Sequence, residues 1–200
     1  DKHKEGILLG SGCSNGEVFE NALNRSEDEV RESMEMFDYI EVQPPLAYAH
    51  LFDSLPNGIE DIKDTIIRII RIAKEMGKIV VATSDCHYAR PHSKKYRDIM
   101  IQTPQIGGGT HRLSGYRVSP SMHLRTTNEM LEEFSFLDKD LAYEIVVTNT
   151  NLIADMIESF PAFSKEMYSP KDDEFKDTFL GVSSIVDEVR RIVKENQIRL

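Results

Sequence analysis

The stretch Val80–Pro91, VVATSDCHYARP, decides how the fold is interpreted, because an apolar run ends there in an acid, a thiol and an imidazole. The run Ile79–Thr83 has the nearly continuous apolar composition of a strand buried on both faces. Asp85 and His87 follow it at alternate positions, so an extended backbone places both side chains on one side. The stretch therefore predicts a buried parallel strand that carries two metal-type ligands at its carboxyl end.

Two further runs, Gly6–Ser11 (GILLGS) and Tyr39–Gln43 (YIEVQ), have the same short apolar character and predict two more strands. Between them, S-x-x-E pairs that begin at Ser14 and Ser26 are typical of capping boxes and predict two short helices. Apolar residues recur at helical spacing over Ile62–Met76, which predicts a crossover helix before the third strand. Alternating strands and helices are typical of an α/β fold with parallel strands.

The second half of the chain changes character. Ser93–Ile101 is predicted to be a helix, and Gln102–His123 is a long loop rich in Gly, Pro and Ser, of the kind that is functional or mobile. Helix-period apolar positions predict a helical region over 126–160. A linker is expected from Pro161 to Asp177, followed by a final helix over Ser183–Glu195.

The amino-acid composition limits the classes of protein to which the chain can belong. With 40% hydrophobic and 29% charged residues in 200 positions, the chain is expected to be globular. Its two cysteines are too few for a disulfide scaffold and are expected to be reduced. No apolar run is long enough to span a bilayer, and the N-terminal stretch lacks the features of a signal peptide. We therefore expect a cytoplasmic protein without a membrane partner.

The formal net charge of −10 argues against a surface that binds nucleic acid throughout. Between Arg90 and Arg125, however, seven Lys or Arg residues stand against one acid, Asp98. A phosphate-bearing partner is one interpretation, and a long loop that merely collects charge is the other. The residues predicted to contact nucleic acid or phosphate are Arg90, Lys94, Lys95, Arg97 and Arg125.

Cys13 strengthens the metal hypothesis. It follows the first predicted strand, at the end that corresponds to the position of Asp85 and His87 after the third. Ligands gather at the carboxyl ends of parallel strands, and thiolate, imidazole and carboxylate together suit zinc or a similar transition metal. The competing interpretation is that Asp85 caps the next helix and His87 makes a hydrogen bond in the core.

Four blocks of the sequence carry a resemblance: GILLGSGCSNGEVFENAL (Gly6–Leu23), FDYIEVQPP (Phe37–Pro45), VVATSDCHY (Val80–Tyr88) and HLRTTNEMLEEFSFL (His123–Leu137). In this order they resemble the second part of the PHP domain of the PolC-type DNA polymerase III alpha subunit, the replicative polymerase family of Gram-positive bacteria. The resemblance covers about residues 5 to 160 and weakens after Phe160.

The resemblance implies a partial (β/α) barrel of PHP type, followed by a helical tail that leads toward the polymerase body. It implies three regions: residues 1–125 as the C-terminal part of the PHP metal-binding barrel, 126–160 as a helical segment that joins the barrel to the polymerase core, and 161–200 as a linker and the start of a further helix. In the family an exonuclease domain is inserted into the PHP sequence.

By motif, the resemblance assigns Cys13, Asp85 and His87 as metal ligands, while the family's H-x-H motif has no match here. It implies zinc or manganese at the PHP site and magnesium at a polymerase site outside this chain. It further implies a nucleotidyltransferase whose partners are DNA, other polymerase domains and, through regions not present, the sliding clamp. This chain alone is expected to be inactive, because it lacks the catalytic carboxylates.

Two alternatives remain open. The chain could be an independent PHP-type metal-dependent phosphoesterase, although three strands leave such a site incomplete. It could also be a non-catalytic module that binds DNA or a neighbouring domain through the basic segment, with a vestigial metal site.

Overall fold

The computed structural model describes residues 4–161 and 185–195, and the chain divides into two units, Asp1–Ile157 and Glu158–Leu200. The first unit contains two strands, β1 (Tyr39–Val42) and β2 (Ile79–Ala82). Its helices are α1 (Glu17–Asn24), α2 (Glu27–Met34), α3 (Ile59–Glu75), α4 (Lys94–Gln102), α5 (Thr127–Glu133), α6 (Lys139–Tyr143) and α7 (Asn149–Asp155). The second unit contains α8 (Ile185–Glu195).

The sheet is parallel and is built around one crossover. β1 pairs with β2, with Tyr39 opposite Ile79 and Val42 opposite Ala82. The predicted crossover helix is confirmed as α3, which joins the two strands and packs its apolar stripe into the core. The buried residues of that stripe include Ile62, Ile66, Ile69, Ile70, Ile72 and Ala73. The mixed α/β class is therefore confirmed, and the described residues form a two-stranded sheet.

The later helices belong to the same core as the sheet. Met130 lies within α5, Phe134 directly follows that helix, and Ile145 lies in a π-helical turn over Glu144–Thr148. All three are buried in the cluster that contains residues of α3 and of both strands. The Asn149 amide also donates a hydrogen bond to the Val80 carbonyl at 2.8 Å. The helical region after residue 126 is thus an integral part of the first unit.

The strand predicted over Gly6–Ser11 is wrong in extent. Its only ladder contact in the described structure is an isolated parallel bridge between Gly10 and Tyr39. The Leu9 amide donates instead to the Asp38 carboxylate at 2.8 Å, so a side chain replaces the next ladder bond. Ile7 and Leu8 are exposed, which is incompatible with a strand buried on both faces.

Of the two predicted capping boxes, the one at Ser26 is confirmed and the one at Ser14 is wrong. Ser26 and Glu29 satisfy each other's backbone amides at the start of α2. In contrast, α1 begins at Glu17 with Gly16 as its N-cap and no side-chain cap. A tight turn competes with the box: the Gly16 amide donates to the Cys13 carbonyl at 2.7 Å. A Cβ atom on Gly16 would lie 2.5 Å from the Ser11 carbonyl oxygen, so the turn requires glycine.

The remaining predictions fall as follows. The helix over Ser93–Ile101 is confirmed as α4, and the final helix lies within the expected range as α8. The loop Gln102–His123 is irregular beyond its first residue, although Leu113 and Met122 are buried. The linker predicted over Pro161–Asp177 lies, beyond Pro161, outside the described residues. No helix of the described residues is both long and apolar enough to cross a membrane.

The sequence also left two elements unpredicted. They are a 3-10 helix over Pro45–Ser54 that follows β1 and the π-helical turn between α6 and α7. The 3-10 helix contributes the buried Tyr48 and His50, and the Tyr48 hydroxyl donates a hydrogen bond to Gln43 in the site described below.

Candidate functional site

The carboxyl edge, defined as the segments that follow Gly10, β1 and β2, is joined by a buried amide. Gln43 follows β1, and its side-chain nitrogen donates to the Gly12 carbonyl at 3.3 Å and to the Thr83 hydroxyl at 3.0 Å. Its side-chain oxygen accepts a hydrogen bond from the Tyr48 hydroxyl. A fully buried amide is stable only with such partners. Gln43 therefore fixes three separate segments relative to one another.

Glu41 makes a second bridge across the same edge. Its carboxylate accepts hydrogen bonds from the Gly12 amide at 3.3 Å and from the Thr83 hydroxyl at 3.0 Å. The chain passes so close to this side chain that a Cβ atom on Gly10 would lie 2.6 Å from a Glu41 carboxylate oxygen. The glycine at position 10 therefore permits the close approach that brings the Cys13 turn over β1.

Cys13 is half-buried in that turn, with a free thiol. The Asn15 amide nitrogen lies 3.5 Å from the sulfur, at hydrogen-bond distance for a sulfur acceptor. The Asn15 carbonyl oxygen accepts in turn from the Arg112 guanidinium, which comes from the long loop. The thiolate is the form of cysteine that binds metals.

Asp85 and His87 lie together after β2. His87 Nδ1 is 3.6 Å from an Asp85 carboxylate oxygen and 2.8 Å from the Asp85 carbonyl oxygen. Asp85 has a φ of 44°, the only positive value at a non-glycine residue of the described structure. Such a left-handed residue is uncommon and is found more often at functional sites. The His87 amide is fixed by a 2.8 Å hydrogen bond to the Met122 carbonyl.

Tyr48 shows that these segments converge. Burial raises the pKa of the Tyr48 phenol well above its usual value, and the ionised forms of Cys13, Asp85 and Glu41 raise it further. The sole opposing effect is the hydrogen bond with Gln43. Groups from all three segments of the carboxyl edge therefore act on one buried hydroxyl, which stays protonated.

The fit to a metal ion is partial. Thiolate, carboxylate and imidazole are suitable zinc ligands, and Asp85 and His87 form an adjacent pair. Across residues 4–161 and 185–195, however, no group of three or more His, Cys, Asp or Glu side chains is placed to hold a metal ion. Cys86 is not part of the pair, since its sulfur lies 3.3 Å from the Tyr88 carbonyl oxygen. The described residues do not complete a metal site by themselves.

Two of the five predicted phosphate-binding residues are engaged inside the fold. Lys94 binds Asp98 at 3.0 Å and also donates to Ser119. The Arg125 side chain is fully buried, and its guanidinium binds Glu133 at 2.9 Å together with two backbone carbonyls. Breaking such a buried pair leaves an uncompensated charge, so Arg125 stabilises the junction between the loop and α5.

The other three cations lie on or near the surface. Arg90 and Lys95 are exposed, and the Lys95 ammonium lies 4.9 Å from the centre of the Tyr96 ring. Arg97 is half-buried, and its Nε atom has no hydrogen-bond partner among the described residues. Arg90 and Lys95 are the two that a phosphate could reach without rearrangement.

Comparison with known proteins gives one consistent result. The chain is 44% identical over 171 residues to DNA polymerase III PolC-type of Halalkalibacterium halodurans, covering 85% of this chain and 12% of that protein. It is 39% identical over 182 residues to the Bacillus subtilis protein of the same name, covering 88% and 12%. The Streptococcus pneumoniae protein is 36% identical over 185 residues, covering 89% and 13%. No family model matches the chain.

The chain is related to PolC-type DNA polymerase III. It spans about 12% of the length of these polymerases, so it corresponds to one segment of them. The identity of 36% to 44% extends over more than four-fifths of the chain in each comparison. The resemblance to the PolC-type family expected from four sequence blocks is therefore confirmed.

Sequence reasoning missed the residues that organise the carboxyl edge of this PolC-related chain. The apolar pattern places Glu41, Gln43 and Thr83 in strands without indicating a role for them, and no pattern indicates Tyr48. The available signal was the pair of polar side chains, Glu41 and Gln43, inside the otherwise apolar run YIEVQ. A polar group in a buried strand needs a partner, and that requirement indicates a network.

Proposed function

We propose that this chain is a segment of a DNA-directed DNA polymerase of the PolC type, a nucleotidyltransferase of DNA replication. The observation that carries the proposal is 44% identity over 171 residues to a protein named DNA polymerase III PolC-type. The proposed partners are DNA, the other domains of the polymerase and, through regions outside this chain, the sliding clamp. Such an enzyme acts in the cytoplasm.

Within that polymerase, we propose that residues 1–125 form the C-terminal part of a PHP-type barrel. The parallel β1–α3–β2 crossover and the Gly10 bridge to Tyr39 support this, because they place three consecutive segments side by side. Residues 126–160 join the barrel to the polymerase core, and residues 161–200 form a linker and a further helix.

We propose that Cys13, Asp85 and His87 are ligands of zinc or manganese at the carboxyl edge, with further ligands from outside the described residues. A bound metal would cross-link the strand ends and act as a Lewis acid toward a phosphoester. The chain's own residues prepare the edge: Glu41 and Gln43 hold Gly12 and Thr83, and the Met122 carbonyl fixes His87. Magnesium serves the polymerase site, outside this chain.

A second role is supported by the exposed cations. Arg90 and Lys95 are free to contact a DNA backbone or an acidic neighbouring domain, as the basic segment suggests. Lys94, Arg97 and Arg125 belong to the same segment, although Lys94 and Arg125 already have acidic partners. The variant Lys95→Glu distinguishes DNA from an acidic neighbouring domain as the partner. If Lys95 contacts phosphate, the variant should bind DNA more weakly, and its affinity should depend less steeply on salt concentration.

Primer extension tests the main proposal. The longer polypeptide that contains this chain should extend a primed DNA template with deoxynucleotides and Mg²⁺, and the 200-residue chain alone should not. A longer polypeptide that lacks template-dependent synthesis would overturn the proposal. Hydrolysis of a generic phosphodiester by the isolated chain loaded with Mn²⁺, absent in a Cys13→Ala, Asp85→Ala, His87→Ala variant, would favour an independent phosphoesterase instead.

A further inference from the structure

Helix α4 exposes its apolar side chains to solvent and turns polar side chains toward the protein. Its large apolar residues at i, i+3 and i+4 point outward: Tyr96 is 57% exposed, Ile99 63% and Met100 75%. We call these three residues the α4 face. A contiguous exposed apolar strip on one helix is uncommon in a protein that acts alone, and such strips mark interaction surfaces.

The inward side of α4 explains why the helix keeps this orientation. Lys94 and Asp98 form an ion pair there, and the Ser119 hydroxyl bonds both of them. Ile101 is the one residue of α4 that is buried. A polar network and a single apolar side chain hold the helix on the protein, so its usual core-facing residues are left in water. This orientation is therefore built into the packing and is not a frayed end.

The charge beside the α4 face defines the chemistry of its partner. The exposed Lys95 lies over the Tyr96 ring, and the exposed Arg90 comes just before the turn that leads into α4. A complementary surface needs aliphatic or aromatic side chains against Tyr96, Ile99 and Met100, and carboxylates against the two cations. Helix-in-groove recognition uses the same i, i+3, i+4 spacing of anchors.

We propose that the α4 face docks against an apolar, acid-rimmed protein surface that belongs to another part of the same polypeptide. This inference rests on the proposed function and deepens it. The related polymerases match this chain over about 12% of their length, so most of such a polypeptide lies outside it and is available as the partner. A partner on the same chain binds at high effective concentration, so a small strip is sufficient.

Nucleic acid fits the α4 face less well than protein. A single aromatic residue, Tyr96, offers a surface on which a base could stack, whereas Ile99 and Met100 have no counterpart in a phosphate backbone or a base. A second copy of the chain is also less favourable, because a two-fold dimer places the same patch of both copies together, with Lys95 cations and no carboxylates to pair them.

Methionine oxidation tests the proposal directly. In the 200-residue chain, dilute peroxide should oxidise the exposed Met100 and Met36 quickly and the buried Met34 slowly. In the longer polypeptide, Met100 should be oxidised slower by about a factor of ten or more, because a docked face reacts only while the contact is open. An unchanged Met100 rate in the longer polypeptide would overturn the inference.

Two further results would overturn it by identifying another occupant. Protection of Met100 in the 200-residue chain that grows with protein concentration indicates a second copy, and protection that requires added DNA indicates nucleic acid. A double variant, Ile99→Gln with Met100→Gln, should lower the Tm of the longer polypeptide and leave that of the 200-residue chain unchanged; Met36→Gln is the matched control. If the longer polypeptide extends a primer but does not protect Met100, the docking proposal is refuted and the proposed function stands. If it does not extend a primer, the proposed function is refuted, and the docking proposal is judged by the oxidation rate of Met100.

Discussion

The carboxylate of Glu41 accepts a hydrogen bond from the hydroxyl of Thr83 at 3.0 Å, across the ends of two parallel strands. The same carboxylate accepts from the Gly12 amide, beside Cys13. One acidic side chain thus joins the segments that carry Cys13 and Asp85. The carboxyl edge is a connected polar network, so substitutions in it are expected to affect stability as well as any ligand.

Replacement of Glu41 should destabilise the fold. In Glu41→Ala the Thr83 hydroxyl and the Gly12 amide lose their acceptor, and we expect the free energy of unfolding to fall by about 1–3 kcal/mol. Urea denaturation followed by circular dichroism measures the change. Glu5→Gln, at an exposed position, is the control and should match the wild type. Equal stability of the two variants would show that the bridge is not formed.

The helix caps make a matched set. Ser26 and Thr126 both form capping boxes, whereas Ser14 does not cap α1. Ser26→Ala and Thr126→Ala should each lower the unfolding free energy by about 1 kcal/mol. Ser14→Ala should leave it within about 0.5 kcal/mol of the wild type. If Ser14→Ala loses as much unfolding free energy as Ser26→Ala, Ser14 does form a capping box, and the turn at Gly16 is contradicted.

The contact between Asn149 and β2 should also be measurable. Asn149→Ala removes the donor to the Val80 carbonyl, which is 69 residues away in the chain, and we expect a cost of about 1 kcal/mol. Asn151→Ala is the matched control, because its amide donates to the Val147 carbonyl of the adjacent turn and not to the sheet in the described structure. Hydrogen exchange at β2 amides should accelerate in the first variant and not in the second. Identical exchange rates in both variants would argue against the hydrogen bond between Asn149 and Val80.

His50 should make stability depend on pH. Burial lowers the pKa of His50 below its ordinary value of 6.5, and the nearby Arg112 charge lowers it further. The unfolded chain therefore binds a proton that the folded chain does not, so the contribution is present above pH 6.5 and is lost as the pH falls below that value.

The variant His50→Gln tests this sign. Its loss of stability between about pH 7.5 and pH 5.5 should be smaller than that of the wild type, because one titrating group has been removed. The pKa of His123 is lowered in the same direction, mainly by burial, and that group remains in both proteins. His92→Gln, at an exposed position before α4, should follow the wild type. Parallel pH profiles for wild type and His50→Gln would refute a buried neutral His50.

The sequence was most informative where apolar periodicity is strong. The isoleucines of α3 and the run at Ile79 gave the crossover and its strands, because burial of a continuous stripe dominates local preference. The strand predicted over Gly6 to Ser11 is wrong in extent, because an apolar run does not reveal that the Asp38 side chain takes the place of a ladder hydrogen bond. Likewise, Ser14 has the capping spacing, but the glycine turn that overrides it depends on close backbone contacts.

The candidate ligands could be named from the sequence, whereas the residues that support them could not. Cys13, Asp85 and His87 follow strands in the sequence, and the structure places Asp85 beside His87. The bridging roles of Glu41, Gln43 and Tyr48 depend on contacts between distant segments, which no local pattern encodes. The role of Arg125 also depends on a contact that the local sequence does not encode. Its position in a basic segment suggests phosphate binding, whereas in the structure its guanidinium forms a buried ion pair with Glu133.

The metal content of the longer polypeptide tests the proposed role of the carboxyl edge most directly. Purified wild-type protein, dialysed against buffer without metal and analysed by mass spectrometry, should retain zinc or manganese. Cys13→Ser, Asp85→Asn and His87→Gln should each weaken metal affinity by at least about tenfold, the loss typical of removing even an outer-shell partner. Cys86→Ser, whose sulfur lies beside the Tyr88 carbonyl, should retain the wild-type content. Wild-type protein without metal, or full retention in all three ligand variants, would contradict the account.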